Sequence, residues 1–219
     1  MSDAVSKEIG VPSRVIPAFI SPTVDEGKVP ADIVRSIANY RASGKKVLAL
    51  NASRLPQFNA ADIYGIDLLM SAFLRSDVRE RCGAVVCISD IDQNNAYLHH
   101  LRDRLRHNGL NDHILLRVGE IEFAGMLKHC DLFVRPTSTD GDAVSIREAL
   151  WLGIPTVASD AVARPAGVTT FRSRDANDLA RKILQTVSTK EAVAVRSDCY
   201  GEQVLETCKG LLKRQCDVE

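Results

Sequence analysis

The chain has 219 residues and a mass of 24.0 kDa, enough for one full hydrophobic core with room for a small second lobe. Hydrophobic residues make up 45% of it and charged residues 26%, which is typical of globular proteins and excludes disordered or collagen-like chains. Lysine plus arginine equals aspartate plus glutamate at 28 each, so the net charge gives no reason to expect nucleic acid or an anionic membrane surface as a partner.

The N-terminal segment differs in composition from the rest of the chain. Residues 1–25 contain three prolines and predict an interdomain linker remnant, whereas residues 26–219 predict one folded domain. No apolar run has the length of a signal-peptide core or a membrane span. We therefore expect no transmembrane segment and a cytoplasmic location, with peripheral docking at the inner membrane face left open. The six cysteines contain no C-x-x-C pair, which predicts reduced thiols and no metal site.

Short apolar runs alternate with helix-period segments along the chain. Runs that suit strands buried on both faces cover residues 46–51, 84–89, 114–118, 132–134 and 155–159. Helical spacing covers residues 31–42, 63–75, 94–107, 123–129, 144–152, 176–187 and the tail 191–216. The alternation predicts right-handed parallel βαβ units, and so an α/β fold with a doubly wound, Rossmann-like parallel sheet and helices on both faces.

The segment "RPTSTDGDAVSIREAL", residues 135–150, places a polar turn between an apolar strand and a helix. In an open parallel sheet, ligands bind beyond the carboxyl ends of the strands, where helix N-termini present N–H groups suited to a phosphate. The residues alone leave an alternative open. Ser145 and Glu148 have capping-box spacing, and Asp142 suits an N-cap, so the same turn forms without a ligand.

The longer stretch "DLFVRPTSTDGDAVSIREALWLGIPTVASD" resembles the C-terminal half of retaining glycosyltransferases of the GT-B fold, family 4 (group 1). The shared hallmark is an acidic residue, seven residues, then Glu, followed by small-Gly-x-Pro; here Asp140, Glu148 and "LGIPTVASD" carry it. The segments "ASRLPQFNAADIYGIDLL" and "GEIEFAGMLKHCDLFV" also resemble the family. The resemblance thus covers nearly the whole chain, but only the donor-binding half of a usual enzyme.

The resemblance implies roles for individual residues. Arg54 matches the arginine that binds the donor diphosphate, and Asp140 matches the acidic residue that lies against the donor sugar, so both are implied catalytic residues. Glu148 matches the glutamate that hydrogen-bonds the nucleotide ribose. Further implied donor-binding residues are Gly119 and the loop-to-helix stretch Gly141, Asp142, Ala143, Val144 and Ser145. The implied site uses no cofactor and no metal.

Two departures from the family pattern concern the donor contacts. Tyr64 stands before Gly65 where the family has a phosphate-binding lysine. In the acidic motif, Asp140 replaces the family's usual Glu, and Asp142-Ala143 replaces the usual Phe-Gly. Either Arg54 acts with helix amides alone, or another base such as Arg135 or Arg164 substitutes for the lysine. We interpret these departures as marks of a subgroup associated with surface polysaccharide synthesis.

The function expected from the resemblance is that of a donor-binding domain. It would bind a nucleotide-sugar and transfer the sugar to a glycan or lipid-linked acceptor as a hexosyltransferase-type enzyme. We expect it to be incomplete without an N-terminal acceptor domain and inactive or weakly active alone. The alternative is a non-catalytic Rossmann-like protein-interaction module that has lost donor binding. A dehydrogenase or a P-loop nucleotide triphosphatase is disfavoured, because neither glycine motif is present.

Overall fold

The computed structural model describes residues 19–55, 57–58, 61–89, 95–141, 143–189 and 200–216, together with residues 7, 10 and 16. By its contacts the chain divides into a unit of residues 22–196 and a second unit formed by residues 1–21 and 197–219. The two units are described separately below. The predicted boundary between residues 25 and 26 stays a prediction.

The larger unit contains eight strands among its described residues. They are β1 (Lys46–Ala52), β2 (Gln57–Phe58), β3 (Ala61–Asp62), β4 (Cys82–Ile88), β5 (Ile114–Val118), β6 (Leu132–Arg135), β7 (Thr156–Ser159) and β8 (Val168–Phe171). β2 and β3 form a small antiparallel ribbon. The other six form one sheet in the order β5-β4-β1-β6-β7-β8, and every neighbouring pair is parallel. The predicted doubly wound parallel sheet is confirmed.

The helices of the larger unit follow a short 3-10 turn at Glu26–Lys28. They are α1 (Ala31–Ala42), α2 (Ile66–Ala72), α3 (Ser76–Arg81), α4 (Ala96–His107), α5 (Phe123–Leu127), α6 (Val144–Trp151) and α7 (Ala176–Ser188). The single tryptophan of the chain, Trp151, ends α6 and is 40% exposed. The helix predicted over residues 63–75 is wrong in its extent: Gly65 is the left-handed N-cap of α2, and extended backbone at Arg75 separates α2 from α3.

Two hydrophobic layers cover the two faces of the sheet. Leu48 and Leu50 of β1 face the layer formed by α2, α3, α4 and α7. Val47 and Ala49, which alternate with them along the strand, face the layer formed by α1, α5 and α6. The strand β8 was not predicted, because its sequence "VTTF" is not an apolar run. Only Phe171 of this strand is buried, which is typical of the edge of a sheet.

The smaller unit contributes helix α8 (Gly201–Cys216). Ahead of it, the Tyr200 amide donates to the Phe19 carbonyl at 3.3 Å. The helix was predicted to start at residue 191, but residues 191–199 lie outside the described part of the chain. Val204 and Leu205 are about half exposed, so the predicted apolar side of α8 is not a buried face at these positions. Among the described helices, none is long and apolar enough to cross a membrane.

Candidate functional site

The strand order reverses direction between β1 and β6. From β1 the chain proceeds to β4 and β5 on one side, whereas β6, β7 and β8 follow on the other side. The register joins β1 to β6 at only two residue pairs, Leu48 with Leu132 and Ala49 with Phe133. Such a reversal opens a crevice at the carboxyl ends of the two strands, which is where open α/β sheets bind ligands. Arg135 ends β6, and Arg54 follows β1 by two residues with an exposed side chain, so both lie at this edge.

Helix α6 begins at the same edge. Its N-cap is Ala143, which makes no side-chain capping hydrogen bond, and Val144 is the first helical residue. Ser145 is therefore the second residue of the helix and Glu148 the fifth, so the capping-box interpretation is wrong. The amides of Val144 and Ser145 belong to the first turn, where helix amides precede the intrahelical ladder and the helix dipole is positive. Asp142, predicted as a donor-binding or capping residue, lies outside the described residues.

A cavity of about 740 Å³ lies beside α6, within the size range of small-molecule sites. It is lined by Pro22, Lys28, Glu120, Ile121, Glu122, Phe123, Ala124 and Glu148. Gly119, predicted as donor-binding, precedes this lining directly and donates its amide to the Ile88 carbonyl at 2.9 Å. Its φ of 120° is one that favours glycine. The structure thus brings the turn after β5 and the helix carrying Glu148 to one cavity.

Glu148 is a half-buried carboxylate in that cavity. Burial raises the pKa of Glu148, and the nearby charge of Glu122 raises it further. Within the described part of the larger unit, Glu148 has no hydrogen-bond or ion-pair partner. A partly desolvated carboxylate without a partner carries a free-energy cost, and a ligand that donates hydrogen bonds relieves it.

That cost predicts that Glu148→Gln stabilises the protein. The raised pKa means that the folded state holds the proton more tightly than the unfolded state, so stability is lost as the pH rises through the folded pKa. We expect Glu148→Gln to raise Tm by about 1–3 °C at pH 7 and to have no effect well below the unfolded pKa. Thermal unfolding of both proteins between about pH 3 and pH 8 measures this, because the unfolded pKa of a glutamate is about 4.3. An equal Tm at every pH would contradict the cost.

A buried ionic network surrounds Asp140. Arg135 Nε donates to Asp140 Oδ2 at 3.0 Å, and Arg164 Nη1 donates to the same oxygen at 3.2 Å. The side chains of Asp140, Arg135 and Arg164 are only 11%, 10% and 3% exposed. Burial raises the pKa of Asp140, but the hydrogen bond and charge of Arg135 and the hydrogen bonds from Arg164 and Thr137 outweigh it, so the net pKa lies below its usual value. Asp140 therefore stays ionised at neutral pH.

Tyr64 connects to this network where the family resemblance has a lysine. The Arg135 guanidinium carbon lies 5.0 Å from the centroid of the Tyr64 ring, within cation–π range. The Tyr64 hydroxyl pairs with Ser53 Oγ at 2.5 Å. The Asp62 carboxylate fixes the turn that contains Tyr64, because it accepts hydrogen bonds from the Tyr64 and Ile66 amides, both at 2.9 Å. The guanidinium of Arg135 thus lies over the side chain that replaces the lysine.

Sequence reasoning missed several residues that hold the site together. Asn51 accepts from Arg135 Nη1 through both its carbonyl and its side-chain oxygen at 3.2 Å, and Ser159 accepts from Arg164. Both are polar residues at the carboxyl ends of apolar strands, which is the signal that points to them. Gly141, which was predicted, is exposed, and its amide donates to Asp140 Oδ1 at 3.0 Å.

Four cysteines are free thiols: Cys82, Cys87 and Cys130, which are buried, and Cys208, which is exposed. Burial raises the pKa of Cys82 to about 12, so this thiol stays protonated. Within the described residues, no group of three His, Cys, Asp or Glu side chains is arranged to hold a metal ion.

Comparison with protein families decides the relationship. Residues 47–189, well over half of the chain, match the family model described as glycosyl transferases group 1. The chain belongs to this family. The matched range runs from β1 to the end of α7, and so includes the crevice, the Asp140 network and six of the eight residues that line the cavity. No curated protein matches the sequence.

Solved structures place this group 1 glycosyltransferase chain among GT-B glycosyltransferase domains. HepE from Anabaena in complex with UDP and glucose is 17% identical with a TM-score of 0.69, and its complex with UDP is 16% identical with a TM-score of 0.72; each match covers 95% of this chain and 61% of HepE. Sucrose-phosphate synthase from Thermosynechococcus elongatus is 16% identical with a TM-score of 0.65, covering 99% of this chain and 56% of that protein. At these identities the likeness shows the fold. The chain spans about three fifths of the length of these proteins.

Proposed function

We propose that this group 1 glycosyltransferase chain is the donor-binding domain of a retaining, hexosyltransferase-type enzyme. The observation that carries the proposal is the Glu148 carboxylate in the cavity beside α6, at the carboxyl edge of a parallel sheet, which has no partner among the described residues. Two vicinal ribose hydroxyls donate the two hydrogen bonds that such a carboxylate accepts. The presence of UDP in the HepE structures supports a nucleotide-sugar as the ligand.

In this proposal the nucleoside lies in the cavity and the diphosphate lies at the N-terminus of α6. Arg54 and the first-turn amides of α6 face the negative charge that grows on the leaving diphosphate, and preorganised donors of this kind lower the barrier without a metal ion. The acceptor is a glycan or lipid-linked sugar of the surface-polysaccharide type. An N-terminal domain completes the site, which is consistent with the share of HepE that the chain spans.

Calorimetric titration of the 219-residue chain with UDP, GDP and ADP in metal-free buffer tests the proposal. We expect saturable binding of one nucleotide. Because a hydrogen bond to a charged group contributes about 1.5–3 kcal/mol, Glu148→Ala should weaken binding by roughly tenfold to a hundredfold, and Arg54→Ala by a similar factor. Glu80→Ala, an exposed carboxylate on α3 outside the cavity, is the matched control and should bind like the wild type.

Failure to bind any of the three nucleotides, by a chain shown to be folded, would favour the alternative of a non-catalytic protein-interaction module. The feature that favours this alternative is Tyr64, which stands where the family has a phosphate-binding lysine. A phenol supplies no positive charge for a phosphate. If Glu148→Ala binds the nucleotide as tightly as the wild type, the nucleoside does not lie in the cavity beside Glu148.

A further inference from the structure

The Asp140 carboxylate is already saturated with hydrogen bonds. Its Oδ2 accepts from Arg135 Nε, Thr137 Oγ1 and Arg164 Nη1 at 3.0, 3.1 and 3.2 Å. Its Oδ1 accepts from the Gly141 amide at 3.0 Å and from Arg135 Nη2 at 3.4 Å. A carboxylate offers about four lone-pair sites, and these five donors fill them. No acceptor capacity remains for the hydroxyl of a sugar.

The two arginines that hold Asp140 are themselves tied to three strand ends. Arg135, at the end of β6, donates from Nη1 to the carbonyl and side-chain oxygens of Asn51 in β1. Arg164 donates to the carbonyl and hydroxyl oxygens of Ser159, the last residue of β7. Since Asp140 precedes α6 by only four positions, the network fixes the turn from β6 to α6 against the ends of β1, β6 and β7.

Charge balance gives the network a second property. It contains two guanidinium groups and one carboxylate, so it has a net charge of about +1 in a nearly buried setting. Burial lowers the pKa of Arg164, but the hydrogen bond and charge of Asp140 oppose that effect. The Asp140 carboxylate thus stabilises two buried guanidinium groups at the edge where α6 begins. Its oxygens accept hydrogen bonds from these groups.

We propose that Asp140 is a positioning residue, which sets the turn and the first amides of α6 through Arg135 and Arg164 and does not contact the donor sugar. This inference rests on the proposed donor-binding function. It differs from the role that the family resemblance implies for Asp140. Substitution of Asp140 should then weaken the binding of a nucleoside diphosphate and of its sugar conjugate by the same factor. The reason is that the α6 amides bind the diphosphate, which both ligands share.

Titration of the full chain with UDP and with UDP-glucose tests the inference, and GDP with GDP-glucose or ADP with ADP-glucose replaces this pair if that base binds. For Asp140→Asn we expect both dissociation constants to rise by about tenfold or more, with their ratio unchanged within about twofold. Arg164→Met, which alters the network from its far side, should give the same pattern. Thr137→Val, which removes one of the five donors, should give a smaller rise in both.

The folded fraction separates positioning from a purely structural role. Reversible unfolding raises both apparent dissociation constants by the reciprocal of the folded fraction, and circular dichroism of each variant without ligand measures that fraction. Positioning predicts that a rise of about tenfold remains after this correction, whereas a corrected dissociation constant equal to that of the wild type would show a purely structural role. A selective loss of UDP-glucose affinity in Asp140→Asn, with UDP affinity intact, would show a direct sugar contact and overturn the inference alone. No nucleotide binding by the folded wild-type chain would overturn the inference and the proposed function together.

Discussion

Replacing Gly65 by alanine should destabilise the unit of residues 22–196 by at least about 3 kcal/mol, which corresponds to a fall in Tm of roughly 6–12 °C. Gly65 has a φ of 73°, where an alanine costs about 1–2 kcal/mol. A Cβ atom there would also lie 2.3 Å from the Pro136 carbonyl oxygen, which is backbone and cannot rotate away. Urea unfolding followed by circular dichroism measures the loss.

Gly109→Ala is the matched control for the contact at Pro136. Gly109 also has a left-handed φ, 62°, but a Cβ atom there would meet nothing within 4 Å. We expect Gly109→Ala to lower the free energy of unfolding only by the conformational cost of about 1–2 kcal/mol. The difference between the two variants isolates the close approach of Gly65 to the chain that follows β6. Equal losses would show that this approach is looser than the structure has it.

Asp140→Ala should cost about 3–5 kcal/mol at neutral pH, because it leaves Arg135 and Arg164 nearly buried without a counter-charge. The matched control is Asp77→Ala, which removes an exposed aspartate paired with Arg75 at 2.6 Å. Exposed ion pairs are screened by solvent and contribute little to stability, so the control should lose far less. Equal losses in chemical unfolding would mean that burial of the network adds nothing.

The loss at Asp140 should depend on pH in one direction. The net effect of its surroundings is to lower the pKa of Asp140, so the charge contributes stability above the unfolded pKa, and this contribution is lost as the pH falls through the folded pKa. The difference in stability between wild type and Asp140→Ala should therefore be fully present above about pH 4 and should shrink as the pH falls below that value. A gap that is constant from pH 3 to pH 7 would assign the loss to packing alone.

The sheet could be predicted because its strands are apolar on both faces. Residues 46–51, 114–118 and 132–134 signal burial by composition alone, and the structure confirms strands there. The two errors have physical causes. β8 was missed because its two threonines are partly exposed and give no apolar run. The helix over residues 63–75 was predicted too long because Gly65 interrupts a segment whose apolar spacing alone predicts one helix.

The site was predictable only where one short stretch carries it. Asp140 and Glu148 lie eight positions apart in one motif, and the family match covers both. The network around Asp140 was not predictable, since Arg164 and Asn51 are distant in sequence and meet it only where parallel strands end together. Likewise, periodicity gives no sign that Arg135 lies over the ring of Tyr64.

The position of Trp151 gives the chain a built-in optical probe. It is the single indole of the sequence, it is part solvated, and it shares α6 with Glu148. Intrinsic emission excited at the indole absorption edge therefore comes from one helix, and the same helix begins where the proposed diphosphate lies. Quenching or a spectral shift during titration would report on α6 without any label, and stopped-flow mixing would resolve the rate at which that helix responds.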